Sequence, residues 1–99
     1  MLANSLAWIL ATTSDPAHRD PPEAVKWAQK ACELTNHAHA NFLDTLACAY
    51  AAAGRFEEAV KTEANAIKAA QAQPGEISVD AYEARLKLFE SQKPYYDSE

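Results

Sequence analysis

The sequence is poor in glycine and cysteine, and each shortage excludes a class of protein. Only two glycines occur among its 99 residues, and none of the serines lies in the glycine-flanked elbow that many nucleophilic enzymes require. The two cysteines, Cys32 and Cys48, form neither a CxxC pair nor a disulfide framework. We expect both to be reduced thiols that pack as small apolar residues.

Basic residues are also scarce. Nine lysines and arginines stand against fourteen aspartates and glutamates, which gives a formal net charge of −5. The basic side chains are scattered singly along the chain instead of forming a patch. Because such a surface repels phosphate backbones, the sequence predicts that the protein does not bind nucleic acid.

Long apolar runs are missing as well. No stretch approaches the length that spans a bilayer. The short apolar run at residues 6–10 has no Lys or Arg before it, although a secretory signal would need one. These absences predict a soluble chain that does not bind membranes, with the cytoplasm as the favoured compartment.

Three histidines raise the question of a metal site. His37 and His39 lie between Cys32 and Cys48 in sequence, but two histidines that are two positions apart at the start of a helix do not share a face. His18 is expected to be a turn residue. We therefore predict no bound metal and no cofactor. Without a nucleophile elbow or a convincing Cys/His pairing, we also predict no enzymatic activity.

Alanine is abundant, and apolar residues recur three and four positions apart, which predicts an all-α fold of five helices. The first helix should span about Leu2 to Thr12 and bury Ala3, Leu6, Ala7 and Leu10. The second should begin at Pro22, because the residue before a proline is disfavoured in the α region. Asp20 is its expected cap.

The remaining helices are bounded by equally clear signals. A link at residues 36–40 leads into the third helix, which should end at Gly54 in a left-handed conformation. The fourth should start near Phe56 and end at the breaker at residues 73–75. The fifth, about residues 78–92, should be capped by Ser78 and stopped by Pro94, leaving residues 94–99 as a tail.

A duplication organises these helices. The tetrapeptide at residues 23–26 recurs letter for letter 35 positions later, at residues 58–61. The pair Leu6-Ala7 recurs as Leu46-Ala47, but 40 positions later. The difference places five extra residues in the first unit, within the turn at residues 13–20. Repeats of this period are usually binding scaffolds.

The duplicated residues resemble the tetratricopeptide repeat. That family's pattern of large and small residues is matched here by Leu43, Leu46, Ala47, Tyr50, Gly54, Ala59 and Ala66. The match covers residues 42–70 well and residues 4–34 less completely. The family's aromatic residue in the second helix of each unit is replaced by Ala28 and Glu63, and its terminal proline by Asn36 and Gln71. We expect Glu63 and Lys68 to be exposed charges on the fourth helix.

This resemblance implies an α-α superhelix of about five antiparallel helices in one domain over residues 1–93. Its first repeat would span about residues 1–36 with the insertion at 13–20, and its second about residues 40–71. A capping helix would follow at about 78–92. The duplicated alanines would lie where helices cross closely.

The resemblance also implies a groove lined by the first helix of each unit. The residues expected there, with two from the fifth helix, are Asn4, Trp8, Asn41, Asp44, Thr45, Cys48, Glu83 and Lys87. Neither first helix offers the Lys or Arg with which related repeats hold chaperone tails, so we expect no such clamp. A peptide with basic or small polar residues suits Asp44 and Glu83 better, although the same residues could form a merely solvated face.

Two functions follow from this arrangement. In the first, the chain is a non-enzymatic interaction module that binds a protein or peptide partner and forms the C-terminal part of a larger protein. In the second, the exposed first helix pairs with a copy of itself, and the chain is a structural element that forms a homodimer.

The remaining aromatic residues leave alternatives open. Trp8 and Trp27 flank the turn at residues 13–20 and are expected to pack beneath it, the alternative being that an indole stacks on a ligand. Tyr95 and Tyr96 could form an interaction motif. They could equally fold back and cover the last helix.

Overall fold

A computed structural model describes residues 2–15, 17–35, 39–72 and 79–96. This part of the chain forms five α-helices, which confirms the all-α prediction. They are α1 (Leu2–Thr12), α2 (Pro21–Leu34), α3 (Ala40–Ala52), α4 (Phe56–Ala72) and α5 (Asp80–Glu90). Each helix contacts the next along the chain, and α1 also contacts α3. Within the described ranges, no helix combines the length and apolar character needed to cross a membrane.

The start of α2 is one residue earlier than predicted. The helix begins at Pro21, whose missing N–H would have had no partner in the first turn in any case. Asp20 is the cap as predicted, and its Oδ1 accepts a hydrogen bond from the backbone N–H of Glu23 at 3.4 Å. The Glu23 side chain instead accepts from the indole N–H of Trp27 at 3.1 Å.

Gly54 ends α3 as predicted. Its φ of +82° lies in the left-handed region, which glycine adopts without strain. The N–H of Gly54 bonds to the carbonyl of Ala51 at 3.0 Å, and that of Arg55 to the carbonyl of Tyr50 at 2.8 Å. These two bonds cap the last carbonyls of α3 and turn the chain directly into α4.

The core is built from alanines at helix crossings. The duplicated alanines are completely buried, as the prediction of close crossings requires: Ala24, Ala31, Ala47, Ala59 and Ala66. The prediction for α1 is partly wrong, because Leu6 is 41% exposed. Since α1 packs mainly against α2 and α3, the side that carries Leu6 and Ile9 lies outside the core.

The end of α5 differs from the prediction. The helix stops at Glu90, and Gln92 has a φ of +58°. Lys93 donates its backbone N–H to the carbonyl of Leu88 at 2.9 Å, which is the same type of cap that Gly54 makes. Pro94 therefore follows the end of the helix and does not cause it. The predicted cap Ser78 and the breaker at residues 73–75 lie outside the described residues; Val79 occupies the cap position of α5.

Candidate functional site

A cleft of about 470 Å³ opens between α1, α3 and α5. Its walls consist of Asn4, Ser5, Trp8, Ile9, Asn41, Asp44, Thr45 and Arg85. Five of these are residues that the sequence predicted for a groove. The other three predicted residues lie elsewhere: Cys48 is fully buried, and Glu83 and Lys87 are exposed on α5.

Asp44 and Arg85 form the floor of the cleft. The Arg85 Nε donates to Asp44 Oδ1 and the Arg85 Nη2 to Asp44 Oδ2, both at 2.8 Å. Side-chain exposure is 1% for Asp44 and 13% for Arg85. Burial alone would lower the pKa of Arg85, but the hydrogen bonds and the charge of Asp44 raise it. This bidentate ion pair, with its two parallel hydrogen bonds, joins α3 to α5.

This pairing changes the part that Asp44 plays in the expected preference for basic peptides. Asp44 does not present a free negative charge to a ligand, because its charge is matched by the guanidinium of Arg85. Sequence reasoning missed Arg85, which lies 41 residues away in the chain. One signal was available. Arg85 shares a helix face with Tyr82 and Phe89, and a cation within an apolar stripe usually has a buried partner.

Aromatic rings surround the Arg85 guanidinium. Its Cζ lies 4.9 Å from the ring centroid of Tyr95, 5.6 Å from that of Trp8 and 5.7 Å from that of Tyr82. The rings of Trp8 and Tyr95 are also in contact, with centroids 5.9 Å apart and planes tilted by 44°. Cation–π attraction and the bond to Asp44 together hold Arg85 in one position.

A second carboxyl group lies beneath this pair. The Glu63 side chain on α4 has no exposed surface, and neither of its oxygens has a hydrogen-bond donor among the described residues. The expectation that Glu63 is an exposed charge is therefore wrong. Burial, and then the nearby charge of Asp44, raise the pKa of Glu63 to about 10. At neutral pH Glu63 is consequently a neutral acid, which can donate its proton to Asp44.

Cys48 completes the buried cluster. Ligand-type atoms of Asp44, Cys48 and Glu63 lie within 4.8 Å of one another, a donor set that could in principle hold a metal ion. The charges within the cluster balance one another. Arg85 balances Asp44, Glu63 is protonated, and burial together with Asp44 raises the pKa of the Cys48 thiol well above its usual range. The cluster, with Arg85 included, thus carries no net charge.

Asn4 differs from the other polar residues of the cleft. It is 9% exposed, and its Oδ1 is buried without a hydrogen-bond partner among the described residues. A buried acceptor that lacks a donor costs about 1–3 kcal/mol. Thr45, by contrast, donates its hydroxyl to the carbonyl of Asn41 at 3.0 Å. Asn4 is therefore a cleft residue with a buried acceptor that lacks a donor.

The turn at residues 13–20 contacts the C-terminal tail. Arg19 donates from Nε and Nη2 to the carbonyl of Thr13, at 3.1 Å and 3.0 Å, and its Cζ lies 3.7 Å from the ring centroid of Tyr96. The ring of Trp8 contacts that of Tyr95. The prediction that Trp8 packs beneath the turn did not include this contact. For Tyr95 and Tyr96, folding back is the alternative observed, and the two rings reach α1 and the turn as well as α5.

A larger cleft, of about 590 Å³, lies between α3 and α4. It is lined by Leu43, Leu46, Tyr50, Thr62, Asn65, Lys68 and Ala69. None of the residues predicted for a groove is among them, and Asn4, with its unsatisfied oxygen, lines only the smaller cleft. We therefore regard the smaller cleft as the candidate site despite its size.

Comparisons with known proteins add no assignment to this geometry. No family model matches the chain, and searches of curated proteins and of solved structures find no match either.

Proposed function

We propose that this chain is a non-enzymatic interaction module with a tetratricopeptide-like arrangement of helices, and that the cleft between α1, α3 and α5 binds a peptide segment of a partner protein. The order of helix contacts supports the proposal, because stacked helix pairs place each helix against the next. The buried, unpaired Oδ1 of Asn4 in the cleft wall carries it. This oxygen has no exposed surface, so a small rotation of the Asn4 side chain into the cleft would let a peptide N–H supply the missing donor.

The charge balance of the cleft indicates what kind of segment fits. Asp44 and Arg85 neutralise each other, and Trp8 and Ile9 add apolar surface to the wall. A charged ligand side chain would lose water here without gaining an opposite charge. We therefore expect a segment that is uncharged where it enters the cleft.

A binding role also agrees with the state of Cys48. This thiol is fully buried and its pKa is raised, first by desolvation and then by Asp44. Thiols act as nucleophiles in their deprotonated, accessible form. The most reactive type of side chain near the cleft is thus held in an inert form, which supports a role without catalysis.

Side-chain amide signals in NMR spectra provide the test. Three capped peptides of equal length, one neutral, one acidic and one basic, should be titrated into isotopically labelled protein. The neutral peptide should shift the amide signals of Asn4 and Asn41 most strongly, because their side chains line the cleft. Asn65 lines the larger cleft and serves as the internal control.

Replacing Asn4 with alanine removes the unpaired acceptor. Since one hydrogen bond contributes about 1 kcal/mol, binding of the neutral peptide should weaken about fivefold. Shifts confined to Asn65 would contradict the choice of cleft. A clear preference for the acidic or the basic peptide would contradict the charge argument.

Self-association through α1 is the second candidate function, and the exposure of Leu6 and Ile9 favours it. Ile9 is 58% exposed, and it lies on the same helix as the 41% exposed Leu6. Apolar side chains of this size on one exposed helix face can form a symmetric contact. Sedimentation should then detect a dimer that Ile9→Lys dissociates, whereas a monomer at every concentration would contradict this alternative.

A further inference from the structure

The C-terminal tail occupies a surface formed by three side chains that are far apart in sequence. We define this surface, the tyrosine seat, as Trp8 of α1, Arg19 of the turn and Arg85 of α5. Tyr95 contacts Trp8 and Arg85, with centroid distances of 5.9 Å and 4.9 Å. Tyr96 lies over Arg19 at 3.7 Å. The tail is thus held by its two adjacent aromatic rings.

Both cations of the tyrosine seat are fixed by groups outside the tail. Asp44 holds Arg85 through two hydrogen bonds, and the carbonyl of Thr13 holds Arg19 through two more. The seat would therefore keep its shape if the tail moved away. A site whose side chains are already ordered loses less entropy when it binds a ligand.

The tail itself is held less firmly. Tyr96 is 37% exposed, and no hydrogen bond from the phenol group of Tyr95 or Tyr96 is observed to the described residues. The left-handed conformation of Gln92, at a φ of +58°, directs the chain toward the seat.

We propose that the tyrosine seat is a binding site for a partner segment with two consecutive aromatic residues, and that the chain's own tail competes for it. The chemistry is that of aromatic rings stacked on guanidinium groups and on an indole. The inference rests on the proposed peptide-binding function and extends it, because Trp8 and Arg85 belong both to the seat and to the cleft. It names aromatic residues as the part of the partner that lies beside the cleft.

Competition by the tail sets the size of the expected effect. A segment tethered by a short linker is present at an effective concentration in the millimolar range. A free peptide that binds the empty seat with a millimolar dissociation constant would therefore bind the intact protein several-fold more weakly. Removal of the two tail rings should abolish this competition and strengthen the binding of the peptide by the same several-fold factor.

The test uses the full chain with Tyr95→Ala and Tyr96→Ala combined, and a capped synthetic peptide with the sequence of residues 93–96. In NMR titrations the peptide should shift the indole N–H signal of Trp8. The indole of Trp27, which is bonded to Glu23, is the internal control. The dissociation constant should be several-fold lower for the double variant than for the native chain. A peptide with serine in place of both tyrosines should cause no shift.

A second variant keeps the inference testable if the double variant does not fold. Tyr96→Ala removes only the more exposed ring and should strengthen peptide binding by a smaller factor of the same sign. Equal affinity of native and variant proteins, or no movement of the Trp8 signal, would overturn the inference. Asn41 lines only the cleft and Arg19 only the seat, so the Asn41 amide signal and the Arg19 Nε–H signal together distinguish a failure here from a failure of the proposed function.

Discussion

Replacing Arg85 with methionine should lower the free energy of unfolding by about 3–5 kcal/mol, because it leaves the Asp44 carboxylate buried without its partner. Methionine keeps most of the length and apolar contact of the arginine stem, so the loss reports mainly on charge. The neutral acid Glu63 lies close by and cannot replace the missing cation. Urea denaturation of native and variant proteins measures the difference.

A double-mutant cycle separates the ion pair from packing. Adding Asp44→Asn to Arg85→Met removes the unpaired charge, so the double variant should be more stable than Arg85→Met alone. Arg55 provides a matched control, since it forms an ion pair with Glu58 in which both side chains are 47% exposed. Arg55→Met should leave stability nearly unchanged. Equal losses for Arg55→Met and Arg85→Met would contradict the structure of the floor of the cleft.

Replacing Glu63 with glutamine should stabilise the protein by about 3 kcal/mol at pH 7. The pKa of this carboxyl is raised from 4.5 to about 10 by burial and by Asp44. At pH 7 the Glu63 carboxyl is ionised in the unfolded chain and protonated in the folded chain, so folding must take up a proton. Because pH 7 lies about 2.5 units above the unfolded pKa of 4.5, and each unit corresponds to about 1.4 kcal/mol, this uptake opposes folding. Glutamine is neutral in both states, and its amide can donate to Asp44.

The pH dependence gives this prediction a definite sign. The folded pKa of Glu63 is raised, so its contribution to stability is fully present below pH 4.5 and is lost as the pH rises toward about 10. The native protein should therefore lose stability across that range, and Glu63→Gln should remove this part of the slope. Glu58→Gln is the control, because Glu58 is an exposed glutamate whose pKa is lowered by Arg55. An unchanged slope in Glu63→Gln would refute a protonated Glu63.

Much of the helical structure could be predicted because its signals are local. Gly54, Asp20 and the periodic alanines act within one or two turns of the chain, and each is found where the sequence places it. The errors at Pro21 and Pro94 have one cause. Both predictions assume that a proline excludes or ends a helix. A proline is acceptable in the first turn, as at Pro21, and has no effect on a helix that a cap has already ended, as at Pro94.

The candidate site could be predicted only in part, since its chemistry depends on residues brought together by packing. Helical spacing placed Asn4, Trp8 and Asn41 correctly on the cleft. It could not show that Arg85 neutralises Asp44, because no periodic signal links positions 41 residues apart. The prediction that Glu63 is a surface charge is wrong for a related reason. A carboxyl group is rarely buried unless its surroundings keep it protonated, and those surroundings come from other helices.

The position of Arg85 is the central claim, since it links α3, α5, Trp8 and the tail around one cleft. The most direct measurement is the NMR signal of its Nε–H at pH 7. The structure predicts a resolved signal that exchanges slowly with water and shows nuclear Overhauser contacts to the rings of Trp8 and Tyr95. A signal that exchanges as fast as that of the exposed Arg55 and lacks contacts to either ring would contradict the account.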